Sequence, residues 1–171
     1  MKTRKGFTLV ELLIVMGIMG ILGAMVMIGG QQASDAARGT AIADSLEKAA
    51  AAMEAYYIDN AATINAKGTT AEKVAKGTSA YLSETLVDAS SSIAEGKYGV
   101  VLTEANNANA KWYLVYKLVA NEAGTGRKVK EILASKADRM KLKMIPTTEN
   151  STIADATDYD GTTDTVYMLV R

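Results

Sequence analysis

Apolar residues run almost unbroken from Phe7 to Gly30, interrupted by Thr8 and by one charge, Glu11. The nineteen residues from Leu12 to Gly30 carry no charge at all. As a helix rising about 1.5 Å per residue, positions 7–30 reach roughly 36 Å, enough to cross a bilayer core of about 30 Å. From Gln31 the chain turns polar and Ala-rich, yet the helical period persists. Ile42, Leu46, Ala49 or Ala50, Met53 and Tyr57 recur every three or four residues, while Arg38, Asp44, Glu47, Lys48 and Glu54 lie mostly off that stripe. The pattern predicts one helix over residues 7–60, about 80 Å long. Asp44 and Lys48 have the i,i+4 spacing of an ion pair. The stripe reads as core, and Tyr56 and Tyr57 follow no aromatic ladder that would serve electron transfer.

The period changes beyond Asn60. Residues 61–96 read as a connecting region, with short helices at 70–76 and 79–89 and breaks at Lys67-Gly68 and Lys76-Gly77. Residues 97–103 and 111–119 are rich in Tyr, Val, Leu and Trp and predict a hairpin with a turn at 104–110. Residues 121–126 read as loop, and 128–136 as a helix or an irregular excursion. Residues 139–145 alternate, with Arg139, Lys141 and Lys143 on one face and Met140, Leu142 and Met144 on the other, up to Pro146. A polar loop over 147–164 leads to a last strand at 165–170. The expected fold is α+β: a long N-terminal helix packed on a C-terminal antiparallel β-sheet of about four strands. The expected organisation is a basic leader (1–6), an apolar helix half (7–30), an amphipathic helix half (31–60), the connecting region (61–96) and a sheet head (97–171).

Composition narrows the chemistry. The 171 residues include 49% hydrophobic side chains, which suffice for a core, and neither Cys nor His. Disulfides, thiolate or imidazole metal sites and His-dependent triads are thereby excluded. The carboxylates are scattered and form no recognisable acid–base pair, so the chain reads as a non-enzyme without cofactors. Net charge is zero over the whole sequence, but residues 127–143 hold seven basic against two acidic side chains. Without the three leader cations the chain has 16 basic and 19 acidic side chains. The basic run reads first as a solvated strand face. Charge complementarity between copies is a second reading, and DNA capture ranks below both. Asp155, Asp158, Asp160 and Asp164 form a polar turn that resembles part of a calcium loop, without the closing Glu of an EF-hand.

Lys2, Arg4 and Lys5 precede the apolar run with no acid among them, which holds that end in the cytoplasm and sends the remainder outward. The run is longer than the apolar region of a signal peptide, and a plain signal anchor leaves Glu11 unexplained. A carboxylate in a spanning helix costs roughly 2.5–3.5 kcal/mol on insertion scales and marks a functional position. A cut between Gly6 and Phe7 would give Phe7 a free α-amine, with Glu11 one helical turn away to neutralise it in its own chain or a neighbour's.

The segment Gly6-Phe7-Thr8-Leu9-Val10-Glu11-Leu12-Leu13 resembles the processing motif of type IV prepilins and the related pseudopilins, with a short leader similar to the type IVa branch. The resemblance implies cleavage after Gly6 by a prepilin peptidase, N-methylation of Phe7, and alignment of incoming subunits through Glu11 and Phe7. It implies a homopolymer of identical pilin subunits, extracted from the cytoplasmic membrane by an assembly platform and its ATPase into a surface filament for adhesion, twitching motility or DNA uptake. A type II secretion pseudopilin or a minor pilin is the alternative; a single-pass membrane protein that never polymerises is a second. The chain departs from the family pattern in two ways. Where many type IV pilin helices carry a Pro this chain has Ile28, Gly29 and Gly30, and Gly17, Gly20 and Gly23 supply helix-weakening residues instead, which suggests either melting between Gly20 and Gly30 in a fibre or close packing of helices in lipid. The usual C-terminal disulfide cannot form.

Overall fold

The computed structural model describes residues 7–67, 70–82, 85–89, 92–103, 111–124, 127–145 and 156–171. The leader with Gly6, the 104–110 turn, Pro146 and Asp155 lie outside these residues.

The first helix, α1 (Leu9–Lys67), is continuous over 59 residues, which corresponds to about 88 Å. Its two halves have different surroundings. Every side chain from Phe7 to Ser34 is exposed. From Asp35 onward one stripe is covered, and Ile42, Ala43, Leu46, Ala49 and Met53 enter the core. Asp44 and Lys48 share a face of the helix, yet no ion pair joins them among the described residues. Thr70 then caps α2 (Ala71–Ser79), its hydroxyl accepting the Lys73 N–H. Val74, Ala75 and Thr78 of α2 are buried. Gly77 is required where α2 crosses α1, because a Cβ there would occupy the space of the Tyr56 ring.

The head is a mixed sheet of six strands in the order β1-β2-β3-β6-β4-β5. They are β1 (Val87–Asp88), β2 (Tyr98–Leu102), β3 (Trp112–Lys117), β4 (Leu142–Met144), β5 (Thr157–Asp158) and β6 (Thr165–Leu169). The α+β architecture and the four longer strands match the expectation from sequence. The additions are two-residue strands at the edges, one of which, β1, runs parallel to β2. All other pairings are antiparallel. Central β3 is buried on both faces. Trp112, Leu114 and Tyr116 belong to the main core with the α1 stripe, and Tyr113 and Val115 to a smaller cluster with Ala89 and Val101.

Three local expectations are corrected. No separate helix forms over 79–89 among the described residues: α2 runs through the break expected at Lys76-Gly77 and ends at Ser79, whose hydroxyl receives the Leu86 N–H, Leu86 turns into the core, and β1 follows. Residues 121–126 are not wholly loop, since α3 (Ala120–Ala123) forms one turn held by Glu122. The strand expected at 139–145 starts late. After α4 (Val129–Ser135), a further turn, α5 (Ala137–Met140), absorbs Arg139 and Met140. Lys141 then reverses the chain at φ 54° before β4. Met140 and Leu142 both reach the core, so strand-like alternation is produced here by a helix end and a turn.

Candidate functional site

At the start of α1, Thr8 and Glu11 form a reciprocal cap. The Thr8 N–H and hydroxyl both donate to Glu11 Oε2 at 2.8 Å, and the Glu11 N–H points back to Thr8 Oγ1 at 3.3 Å. This is the Thr-x-x-Glu capping box, which satisfies donors that a helix start otherwise leaves bare. The carboxylate therefore has partners within its own chain even in an apolar stretch. Phe7 sits one residue before the cap and is 86% exposed. The helical hydrogen-bond ladder opens with the Leu12 N–H donating to the Thr8 carbonyl at 3.3 Å, which leaves Phe7 outside it.

Below the head the rod carries no covering. Leu9, Leu13, Met16, Met19, Met25 and Met27 are all at least 65% exposed. Gly17, Gly20, Gly23, Gly29 and Gly30 have no other side chain near them. An apolar surface of this extent needs lipid or protein around it. By length and composition α1 is able to cross a membrane.

The head grips the rod through a charged collar. Asp35, 1% exposed, pairs with the Arg127 guanidinium and accepts the Lys128 backbone N–H at 2.9 Å. One turn on, Arg38 lies 3.5 Å from the carboxylate of Glu122, itself buried. Glu122 also accepts the Tyr116 hydroxyl at 3.0 Å and the Val119 N–H at 3.1 Å. Burial, and then the neighbouring Glu122, push the Tyr116 hydroxyl above its ordinary pKa. Next to Arg38, Gly39 lets α4 approach: a Cβ there would lie 2.8 Å from Ile132 Cγ2. Sequence reasoning misses Asp35, because it stands among residues that are all exposed. It misses Glu122 because that carboxylate is enclosed only once Arg38 of α1 and the Tyr116 hydroxyl are brought to it, and only the Thr-x-x-Glu spacing at Thr8 carries a signal.

The basic run is mostly committed within the chain. Arg127 pairs with Asp35, Lys128 with Glu131, Lys130 with Asp164, Arg139 with Glu47 and Lys143 with Asp158. Two cations, Lys136 and Lys141, have no acidic partner among the described residues. The acids of the C-terminal loop are engaged in turn. Lys143 Nζ is 2.6 Å from Asp158, Lys130 holds Asp164, and Thr162 donates twice to Asp160, which lowers that carboxyl's pKa. Tyr159, buried between them, donates to the Thr163 carbonyl at 3.1 Å. Among the described residues no group of three acids is arranged to hold a metal.

Residues 1–27 match a family model described as the prokaryotic N-terminal methylation motif. No curated protein and no solved structure matches the chain. The match covers the N-terminal 27 residues of the chain and, together with the long apolar helix, supports a likeness to type IV pilin-like and pseudopilin precursors. The motif implies processing by a prepilin peptidase and assembly into pilus-like polymers, and it fits membrane anchoring followed by a surface filament. Prepilin-like proteins are in general structural rather than catalytic.

Proposed function

We propose that the chain is made as a prepilin, cut after Gly6 and N-methylated at Phe7, and polymerises through α1 as a structural subunit of a type IV pilus. The observation that carries this reading is the bare apolar rod, uncovered from Phe7 to Ser34, with Glu11 as its single charge before Asp35. In the precursor the rod spans the cytoplasmic membrane with the head outside. In the filament the rods of identical subunits cover one another.

Glu11 gives this association its register. A mispaired carboxylate in an apolar bundle is costly, so a subunit is held only where the carboxylate meets the Phe7 amine of a neighbour or of its own chain. The capping box keeps the carboxylate satisfied until then. An assembly platform and ATPase would lift the subunit from the bilayer. Mass spectrometry of sheared surface filaments tests the reading. The expected subunit begins at N-methylated Phe7; a fibre subunit that keeps residues 1–6, or a chain found only as a membrane monomer, rejects it.

A further inference from the structure

The boundary of α1 is not set by helix propensity. Phe7 and Thr8 rank with Val10 and Ile14, which are helical, yet the helix begins at Leu9 and its first ladder bond runs from the Leu12 N–H to the Thr8 carbonyl. What holds the boundary is the assignment of two donors. In a helix wound one turn further back, the Thr8 N–H would go to the carbonyl four residues earlier and the Glu11 N–H to the Phe7 carbonyl. Here the Thr8 N–H goes to Glu11 Oε2 at 2.8 Å and the Glu11 N–H to the Thr8 hydroxyl at 3.3 Å. The hydroxyl also donates to Glu11 Oε2 at 2.8 Å. The capping box and a longer helix thus compete for the same donors, and each excludes the other.

The amide immediately before this stop is Gly6–Phe7. A peptide bond wound into a helix is open to hydrolysis only after local unfolding, whereas Phe7 is 86% exposed and outside the ladder. Glycine at position 6 disfavours a longer helix further.

We infer that Thr8 is a positioning residue for removal of the leader: its hydroxyl stops α1 just past the Gly6–Phe7 bond and keeps that bond in non-helical chain for the peptidase. This rests on the prepilin reading above. The cut adds water across the amide; the C–N bond breaks, leaving a carboxylate on Gly6 and an amine on Phe7. Every atom of the box belongs to residues 8 and 11, so the box passes intact into the product and the new amine stands free of the ladder. Glu11→Ala keeps the N–H at position 11, and with it a donor for the Thr8 hydroxyl, so it weakens the stop less than loss of that hydroxyl does.

The test follows loss of residues 1–6 from the full-length chain by pulse-labelling in cells that carry the peptidase. Thr8→Val keeps the shape and loses the hydroxyl; it should slow the cut about fivefold, the factor given by losing a cap of typical strength. Thr8→Ser should restore the rate. In the uncut, detergent-solubilised chain, the Phe7 and Thr8 Cα chemical shifts should move to helical values in Thr8→Val and stay at wild-type values in Thr8→Ser. Cleavage of Thr8→Val at the wild-type rate, equal slowing in Thr8→Ser, or slowing without the helical shift overturns the role of Thr8 and leaves the prepilin reading intact. A wild-type chain that never loses residues 1–6 overturns both.

Discussion

The carboxylate of Asp35 meets the guanidinium of Arg127 at the lowest point where α1 touches the head. Everything N-terminal to this pair is bare helix, and everything beyond it on the inward stripe is packed. Replacing Asp35 by Ala leaves the guanidinium and the Lys128 N–H without their acceptor in a largely dehydrated setting. The expected loss is about 2–4 kcal/mol, near the range for breaking a buried pair and tempered by the partial exposure of Arg127. Chemical unfolding of the detergent-solubilised chain measures it. A loss below about 0.5 kcal/mol would show that the collar contributes no more than a surface pair.

Processing and assembly should separate genetically. Gly6→Leu is expected to leave the leader attached, visible as a heavier band and an unmethylated chain. Glu11→Ala should still be cut, since the scissile bond is untouched, but should yield few or no filaments. Normal piliation with Glu11→Ala contradicts the alignment role.

Gly77→Val places a branched side chain where the Tyr56 ring lies. The ring has to move from between α1 and α2, at an expected cost of about 1–3 kcal/mol or more. The fall in melting temperature checks this, and Gly39→Ala should show a smaller fall, because the tip of Ile132 is able to shift.

Alkali should loosen the head in a defined window. Burial raises the hydroxyl pKa values of both Tyr116 and Tyr159, with Glu122 adding for the first and Asp164 and Asp160 for the second. A raised folded-state pKa gives stability that is complete below the unfolded value, about 10 for tyrosine, and lost as pH climbs from there through the folded value. Unfolding midpoints should therefore hold steady up to about pH 10 and fall above it. Tyr159→Phe should flatten that fall; an unchanged slope would point to other groups.

The long helix is legible in sequence because one hydrophobic run and one heptad-like stripe share a continuous period, and the central strands because Tyr, Val and Trp cluster there. The 139–145 segment misleads for a physical reason. A helix end followed by a left-handed residue delivers Met140 and Leu142 to the same core that a straight strand would reach. The edge strands leave no signal because two residues are too few to show alternation. At the candidate site, Glu11 stands out since any charge is conspicuous among nineteen uncharged neighbours. Asp35 and Glu122 do not, since their burial is decided by a distant segment folding onto α1, which no local window contains.

The lysine pairs on the C-terminal loop bear on how this head is made and kept. Lys130 and Lys143 reach across to Asp164 and Asp158 and, with Tyr159 inserted between them, fasten the segment before the last strand without any covalent bond. Such a clasp closes spontaneously as the chain collapses and needs no thiol-oxidising catalyst. The head is accordingly indifferent to reductants, while concentrated salt or extremes of pH weaken the two pairs, whose acids are more than half exposed, and leave the buried Tyr159 to hold the loop.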